Sequence, residues 1–108
     1  MKWVSRKEEL LLLTVWHLKD NAYGVTIRDY LIESTKNHWS IGAIYDVLDR
    51  LVQKRFLSSI IGDPLPERGG RSKKYYQVTR SGLAALKEVQ HIHNVMWSGL
   101  SGMTLEYE

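Results

Sequence analysis

Glu67-Arg68-Gly69-Gly70-Arg71-Ser72-Lys73-Lys74-Tyr75-Tyr76 crowds Arg68, Arg71, Lys73 and Lys74 around two adjacent glycines. The stretch lies between two short apolar runs, Leu57-Ser58-Ser59-Ile60-Ile61 and Tyr75-Tyr76-Gln77-Val78-Thr79. Two strand-like runs joined by a flexible basic tip predict a β-hairpin able to lie against a phosphate backbone. Taken alone, the same residues also suit a solvated basic turn that touches nothing. The residues upstream tip the balance toward phosphate.

The chain has 108 residues, enough for one domain with a real but thin core, a size often completed by dimerisation. Its apolar share of 44% and charged share of 25% are ordinary for a soluble globular chain. A net charge of +3 names no partner, but its distribution is uneven. Arg50, Lys54, Arg55, Arg68, Arg71, Lys73, Lys74 and Arg80 are opposed between positions 50 and 80 only by Asp63 and Glu67. A local positive field is what a nucleic-acid footprint requires.

Cysteine is absent, which excludes disulfides and thiolate metal sites and fits a reducing cytoplasm. Met1-Lys2-Trp3-Val4-Ser5-Arg6-Lys7-Glu8-Glu9 carries charge where a signal peptide needs an apolar core. The longest apolar run, Leu10 to Leu13, is far too short to span a bilayer. A cytoplasmic protein with no membrane partner is expected.

A first helix is predicted from about Ser5 to Lys19. Leu10, Leu13 and Leu18, with Leu11, Val15 and Trp16 beside them, give it a wide apolar face. Such a helix is usually buried on two sides, against its own core and against a partner subunit. After the turn-forming Asp20-Asn21-Ala22, a second helix covers Tyr23 to Glu33, with Tyr23, Ile27, Tyr30 and Leu31 at helical spacing. Ser40 caps a third helix, Ile41 to about Arg55, whose Ile44, Val47, Leu48 and Leu51 face the core. Gly42, Ala43, Tyr45, Asp46, Asp49, Arg50 and Gln53 are left on its other face. Small residues in the first turn let that helix end approach another surface closely. The hairpin follows, and Thr79 caps a last helix from Arg80 to about Ser98 with Leu83, Leu86, Val89, Ile92 and Met96 as its apolar stripe.

The predicted fold is therefore mainly α with a small β-hairpin (α+β), a winged helix-turn-helix followed by a C-terminal dimerisation helix. Its expected parts are a DNA-binding domain over residues 1–79, the helix over 80–98 and a flexible Gly- and Ser-rich tail over 99–108. In this arrangement the third helix enters the major groove while the wing follows the backbone or the minor groove.

From Leu10 to Ala85 the chain resembles the PadR-type transcriptional regulators. The resemblance rests on the leucine-rich first helix, Ala22-Tyr23-Gly24, Ser40-Ile41-Gly42-Ala43-Ile44-Tyr45, and Leu48 and Leu51. Its sharpest part is Gly69-Gly70-Arg71-Ser72-Lys73-Lys74-Tyr75-Tyr76-Gln77-Val78-Thr79 leading into Ser81-Gly82. It implies a homodimeric repressor on a roughly palindromic operator, released by a small molecule or stress signal. It is similar to small members that dimerise through the first and last helices. Two positions depart from the family's pattern. Arg55 stands where a left-handed glycine is common, so either Arg55 takes that conformation or the helix ends differently. Asp46 and Asp49 lie on a face that is more often neutral or basic. They suit pairing with Arg50 or another cation, or reading a cytosine amino group.

The candidate DNA contacts are Tyr23, Ser40, Gly42, Ala43, Tyr45, Asp46, Arg50, Arg68, Arg71, Ser72, Lys73 and Lys74. The Tyr23 and Tyr45 hydroxyls could donate to phosphate or the rings could be half-buried packing, and Tyr76 is expected in the core. Trp3, Leu11, Val89, Ile92, Met96 and Trp97 are expected at a dimer or ligand face, where the indoles either seal the subunits or line a cavity for a planar aromatic effector. His91 and His93, two apart, fall on different helix faces and make a poor metal pair. With no convincing catalytic grouping, neither an enzyme nor a cofactor is expected. A winged-helix module that binds protein instead of DNA is the rival reading, favoured by Asp46 and Asp49.

Overall fold

Helix α1, Arg6–Leu18, starts at a reciprocal capping box between Ser5 and Glu8. The Glu8 amide donates to Ser5 Oγ at 3.2 Å, and the Ser5 amide donates to Glu8 Oε1 at 2.8 Å. Two backbone donors that a helix start leaves open are thereby satisfied. This is a computed structural model, and it describes residues 3–62 and 73–100. After α1, Lys19 takes a positive φ of 54° and opens a short 3-10 turn, Lys19–Asn21.

Helix α2 spans Gly24–Thr35 and helix α3 spans Ile41–Gln53. Ser40 Oγ accepts the Ala43 amide at 3.1 Å, the expected cap of α3. Strands β1, Leu57–Ile61, and β2, Lys74–Val78, pair antiparallel with Leu57 opposite Val78 and Ile61 opposite Lys74. Helix α4, Arg80–Trp97, is capped by Thr79 Oγ1, which accepts the Gly82 amide at 3.0 Å. Among the described residues this is the mainly helical, winged helix-turn-helix order that the sequence predicts, with boundaries shifted by a residue or two. The tip of the wing and positions 101–108 of the expected tail lie outside the described residues.

The core forms where the helical stripes meet the hairpin. Leu12 and Val15 of α1, Ile27 and Leu31 of α2, and Ile44, Leu48 and Leu51 of α3 close over Leu57 and Tyr76. Each such side chain contributes about 1.5–3 kcal/mol by leaving water. One expectation is corrected here. Leu11, anticipated at a subunit or ligand face, is fully buried in the chain's own core. Four consecutive leucines are apolar in every direction and carry no helical phase; the fold turns Leu11 and Leu12 inward and leaves Leu13 and Trp16 on the surface.

Between α3 and β1 the chain reverses through Arg55, whose φ is 66°. The Arg55 amide donates to the Val52 carbonyl and the Phe56 amide to the Leu51 carbonyl, both at 2.9 Å. This bond pair is a Schellman ending, accompanied by contact of the buried Phe56 and Leu51 with one core. Of the two alternatives at Arg55, the left-handed conformation is the one adopted, at a cost of about 1 kcal/mol. Thr79 offsets part of that cost by donating from Oγ1 to the Arg55 carbonyl at 2.6 Å and from its amide to the Phe56 carbonyl at 3.0 Å.

Candidate nucleic-acid interface

The solvent face of α3 carries Gly42, Tyr45, Asp46, Asp49 and Arg50, all exposed, with Ser40 exposed just before it and Ala43 half-buried. A Cβ added at Gly42 meets nothing within 4 Å, so the first turn of α3 is open to close approach. Tyr45 leans from this face onto the start of α2. A Cβ at Gly24 would collide with the Tyr45 hydroxyl, which explains why α2 begins on a glycine. The half-exposed ring thus locks together the two helices of the helix-turn-helix.

Of the alternatives for Asp46 and Asp49, pairing with Arg50 is not the one adopted. Arg50 Nε lies 3.7 Å from Glu8 Oε2, which also receives Lys54 Nζ at 2.7 Å. Glu8 is buried, and a desolvated carboxylate draws a cation more strongly than an exposed one does. Burial pushes the Glu8 carboxyl up, but bonds from Lys54 and Ser5 outweigh it and hold the group below the usual carboxylate range. Lys54 also donates to the Trp3 carbonyl at 3.1 Å. Among the described residues Asp46 and Asp49 make no salt bridge, and their carboxylates stay on the open face.

The base of the wing is anchored on both edges. The Gly62 amide donates to the Lys73 carbonyl at 2.7 Å, and the Tyr76 amide donates to the Ala22 carbonyl at 2.9 Å on the far side of β2. Lys73 Nζ sits 3.9 Å from the centroid of the Tyr23 ring, and the Tyr75 ring meets Tyr23 edge-on at 5.5 Å and 68°. Lys74 is exposed at the same end of β2. Arg68, Arg71 and Ser72, the remaining expected wing contacts, lie outside the described residues. Tyr76 is buried as expected, but among the described residues its hydroxyl has no hydrogen-bond partner. Burial first, then the nearby Asp49 and Tyr45, push its titration up to about 12.

The expected dimer or ligand residues divide. Trp3, Val89 and Ile92 line a groove of about 230 Å³ between the start of α1 and the middle of α4. Beside them His93 Nε2 lies 3.3 Å from Glu9. Met96 and Trp97 lie outside this groove and are exposed. Among the described residues no three potential metal ligands converge, and no helix is long and apolar enough to cross a membrane.

Glu8 and the clasp between Tyr23 and Lys73 are the two features that sequence reasoning missed. The Ser5-x-x-Glu8 spacing is a readable capping-box signal, but nothing local to it points to Lys54 or Arg50.

A helix-turn-helix completed by a hairpin wing is an architecture that DNA-binding transcriptional regulators use. Residues 12–88 match the transcriptional regulator PadR-like family, and the chain belongs to that family. A PadR-like transcription factor from Bacteroides fragilis has a similar structure, with a TM-score of 0.74 at 22% identity over 91% of this chain and 89% of that one. A PadR-like transcriptional regulator from Bacillus cereus gives 0.72 at 21% identity, covering 90% and 89%. One from Eggerthella lenta gives 0.69 at 26%, covering 91% and 83%. A search of curated proteins found no match.

Proposed function

We propose that the protein is a dimeric, sequence-specific repressor that leaves a palindromic operator when a small molecule or stress signal arrives. One observation carries the DNA half of this reading. Tyr45 of α3 packs on Gly24, and the neighbouring Tyr23 packs on Lys73, so the open face of α3 and the base of the wing form one continuous surface. In this reading Ser40, Gly42, Ala43, Tyr45 and Asp46 meet bases or phosphates from α3. Arg50 adds charge at its edge, and Arg68, Arg71, Ser72, Lys73 and Lys74 grip the backbone. Free of a cation among the described residues, Asp46 suits the amino group of a cytosine.

The dimer half rests on α4. Gly82 and Leu86 are its buried residues, whereas Val95, Met96 and Trp97 are exposed and need cover. A second α4, with Leu13 and Trp16 of α1, provides it. The division into residues 1–79, 80–98 and 99–108 follows from this assignment. The groove at Trp3 offers a planar aromatic effector a place beside that interface. A cytoplasmic location without cofactor or catalysis completes the proposal.

Titration of random duplex at several salt concentrations tests the reading. Replacing Arg71 and Lys73 by Ala lowers affinity for every sequence, and the salt slope falls by about 0.9 for each phosphate that is no longer neutralised. Wild-type protein that binds no duplex at low or moderate salt favours the protein-binding module instead. Selection from a random library then reports half-site spacing and symmetry.

A further inference from the structure

We infer that Tyr23 is a positioning residue, whose ring face aims the wing's first lysine at the DNA backbone. The inference rests on the DNA-binding reading above. It departs from the sequence expectation that the Tyr23 hydroxyl itself donates to phosphate.

The start of α2 is fixed by bonds of its own, besides the backbone bond from Tyr76 of β2 to Ala22. Thr26 Oγ1 accepts the Tyr23 amide at 3.0 Å and donates toward the Asn21 carbonyl at 2.7 Å. Gly24 is clamped beneath Tyr45. Tyr23 is therefore part of the rigid helix-turn-helix unit. The wing is a two-stranded hairpin; beyond Tyr76, which is bonded to Ala22, two strands alone hold a direction weakly. Among the described residues, Lys73 brings the wing's charge onto the start of α2. Its ammonium lies over the Tyr23 ring at 3.9 Å, within the range of a cation–π contact. The Tyr75 ring buttresses Tyr23 from the edge, and Tyr75 in turn packs so closely on Gly62 that a Cβ there would stand 2.7 Å from it. Gly62 closes the strand pair onto the Lys73 carbonyl at 2.7 Å. Ring, lysine, buttress and glycine form a clasp that sets the angle of the wing against α2.

A ring face leaves the ammonium its hydrogen-bond donors, so a clasped lysine still neutralises a phosphate. The clasp limits the directions in which that charge points. Less side-chain and hairpin freedom is then lost when DNA binds, which is how preorganisation raises affinity. The contact is electrostatic and carries no base information.

The experiment compares wild type, Tyr23→Phe and Tyr23→Leu in two measurements. In the DNA-free protein, NMR reads the Lys73 side-chain methylene protons. They are shifted upfield by the ring current in wild type and Tyr23→Phe and return to ordinary values in Tyr23→Leu. In duplex binding, Tyr23→Phe keeps the wild-type affinity and salt slope. Tyr23→Leu keeps the slope, because Lys73 is still there to neutralise its phosphate, but binds about three- to tenfold more weakly. The loss is the same for operator and random duplex, and the circular dichroism of Tyr23→Leu matches wild type. Loss of affinity in Tyr23→Phe equal to that in Tyr23→Leu assigns the role to the hydroxyl and overturns the inference. So does full affinity in Tyr23→Leu, or the absence of an upfield shift in wild type. Wild type that binds no duplex overturns the DNA reading and the inference together, a result separate from all of these.

Discussion

Glu8 and Lys54, 46 positions apart in the chain, meet at 2.7 Å where the Glu8 side chain keeps only 3% of its surface exposed. The bond ties the first turn of α1 to the end of α3. The folded carboxyl titrates below the ordinary 4.5 of a glutamate, so the unfolded chain takes up the proton first as pH falls. Stability from this group is fully present above pH 4.5 and is lost as pH falls through the folded value. Glu8→Gln is expected to cost about 2 kcal/mol at neutral pH, less than a fully buried pair because Lys54 is partly exposed. Urea melts at neutral pH and near pH 3 check this. A wild-type advantage that stays equal at the two values contradicts the assignment.

Arg55→Gly is expected to stabilise the protein by about 0.5–1 kcal/mol, because glycine accepts the left-handed turn without a Cβ clash. Arg55→Val, with a branched Cβ in the same conformation, is expected to destabilise it. Thermal melts of the pair give the signs directly; a lower melting temperature for the glycine variant removes strain at Arg55 as the cause.

Two glycines separate stability from binding. Gly24→Ala drives a methyl into the Tyr45 hydroxyl and is expected to cost about 1–3 kcal/mol by overpacking. Gly42→Ala meets open space and gains about 0.5 kcal/mol of helix propensity. The same methyl holds α3 away from the groove, so the more stable protein binds duplex more weakly. Gel-shift titration alongside a denaturation curve tests this opposition, and equal or tighter binding by Gly42→Ala argues against close approach at that turn.

Tyr76→Phe removes a buried hydroxyl that has no partner among the described residues. The substitution is expected to be neutral or to stabilise by up to about 1 kcal/mol, since an unmatched polar group is expensive to bury. A loss of stability in chemical denaturation means that the hydroxyl has a partner after all, a bridging water for example.

Most of the architecture was legible in the sequence because it is written in short-range chemistry. Ser40 and Thr79 are polar caps placed directly before periodic apolar stripes, and both cap the helices they precede. Ile44, Val47, Leu48 and Leu51 keep a phase that only a helix turns inward. Legibility failed where phase was missing or partners were remote. The run Leu10–Leu13 gave no way to tell Leu11 from Leu13. Arg50 lay near Asp46 and Asp49 in sequence but turned to Glu8, a choice decided by which carboxylate the fold buries. The clasp of Tyr23 on Lys73 spans two elements whose approach depends on the backbone bond from Tyr76 to Ala22.

At the foot of α3, Arg55 and Phe56 are bonded to Thr79, Thr79 opens α4, and a Cβ on Gly82 would strike the Phe56 carbonyl. The ends of four elements are knotted there through backbone atoms and the Thr79 hydroxyl, which leaves little room for them to swivel. In the two-fold assembly proposed above, this joint would serve as a set-square. It would determine how far apart the two proposed reading helices stand, against a distance of about 34 Å between successive turns of the groove. Changes at the joint would then alter the ruler with which an operator is measured, while the alphabet proposed for α3 stays the same.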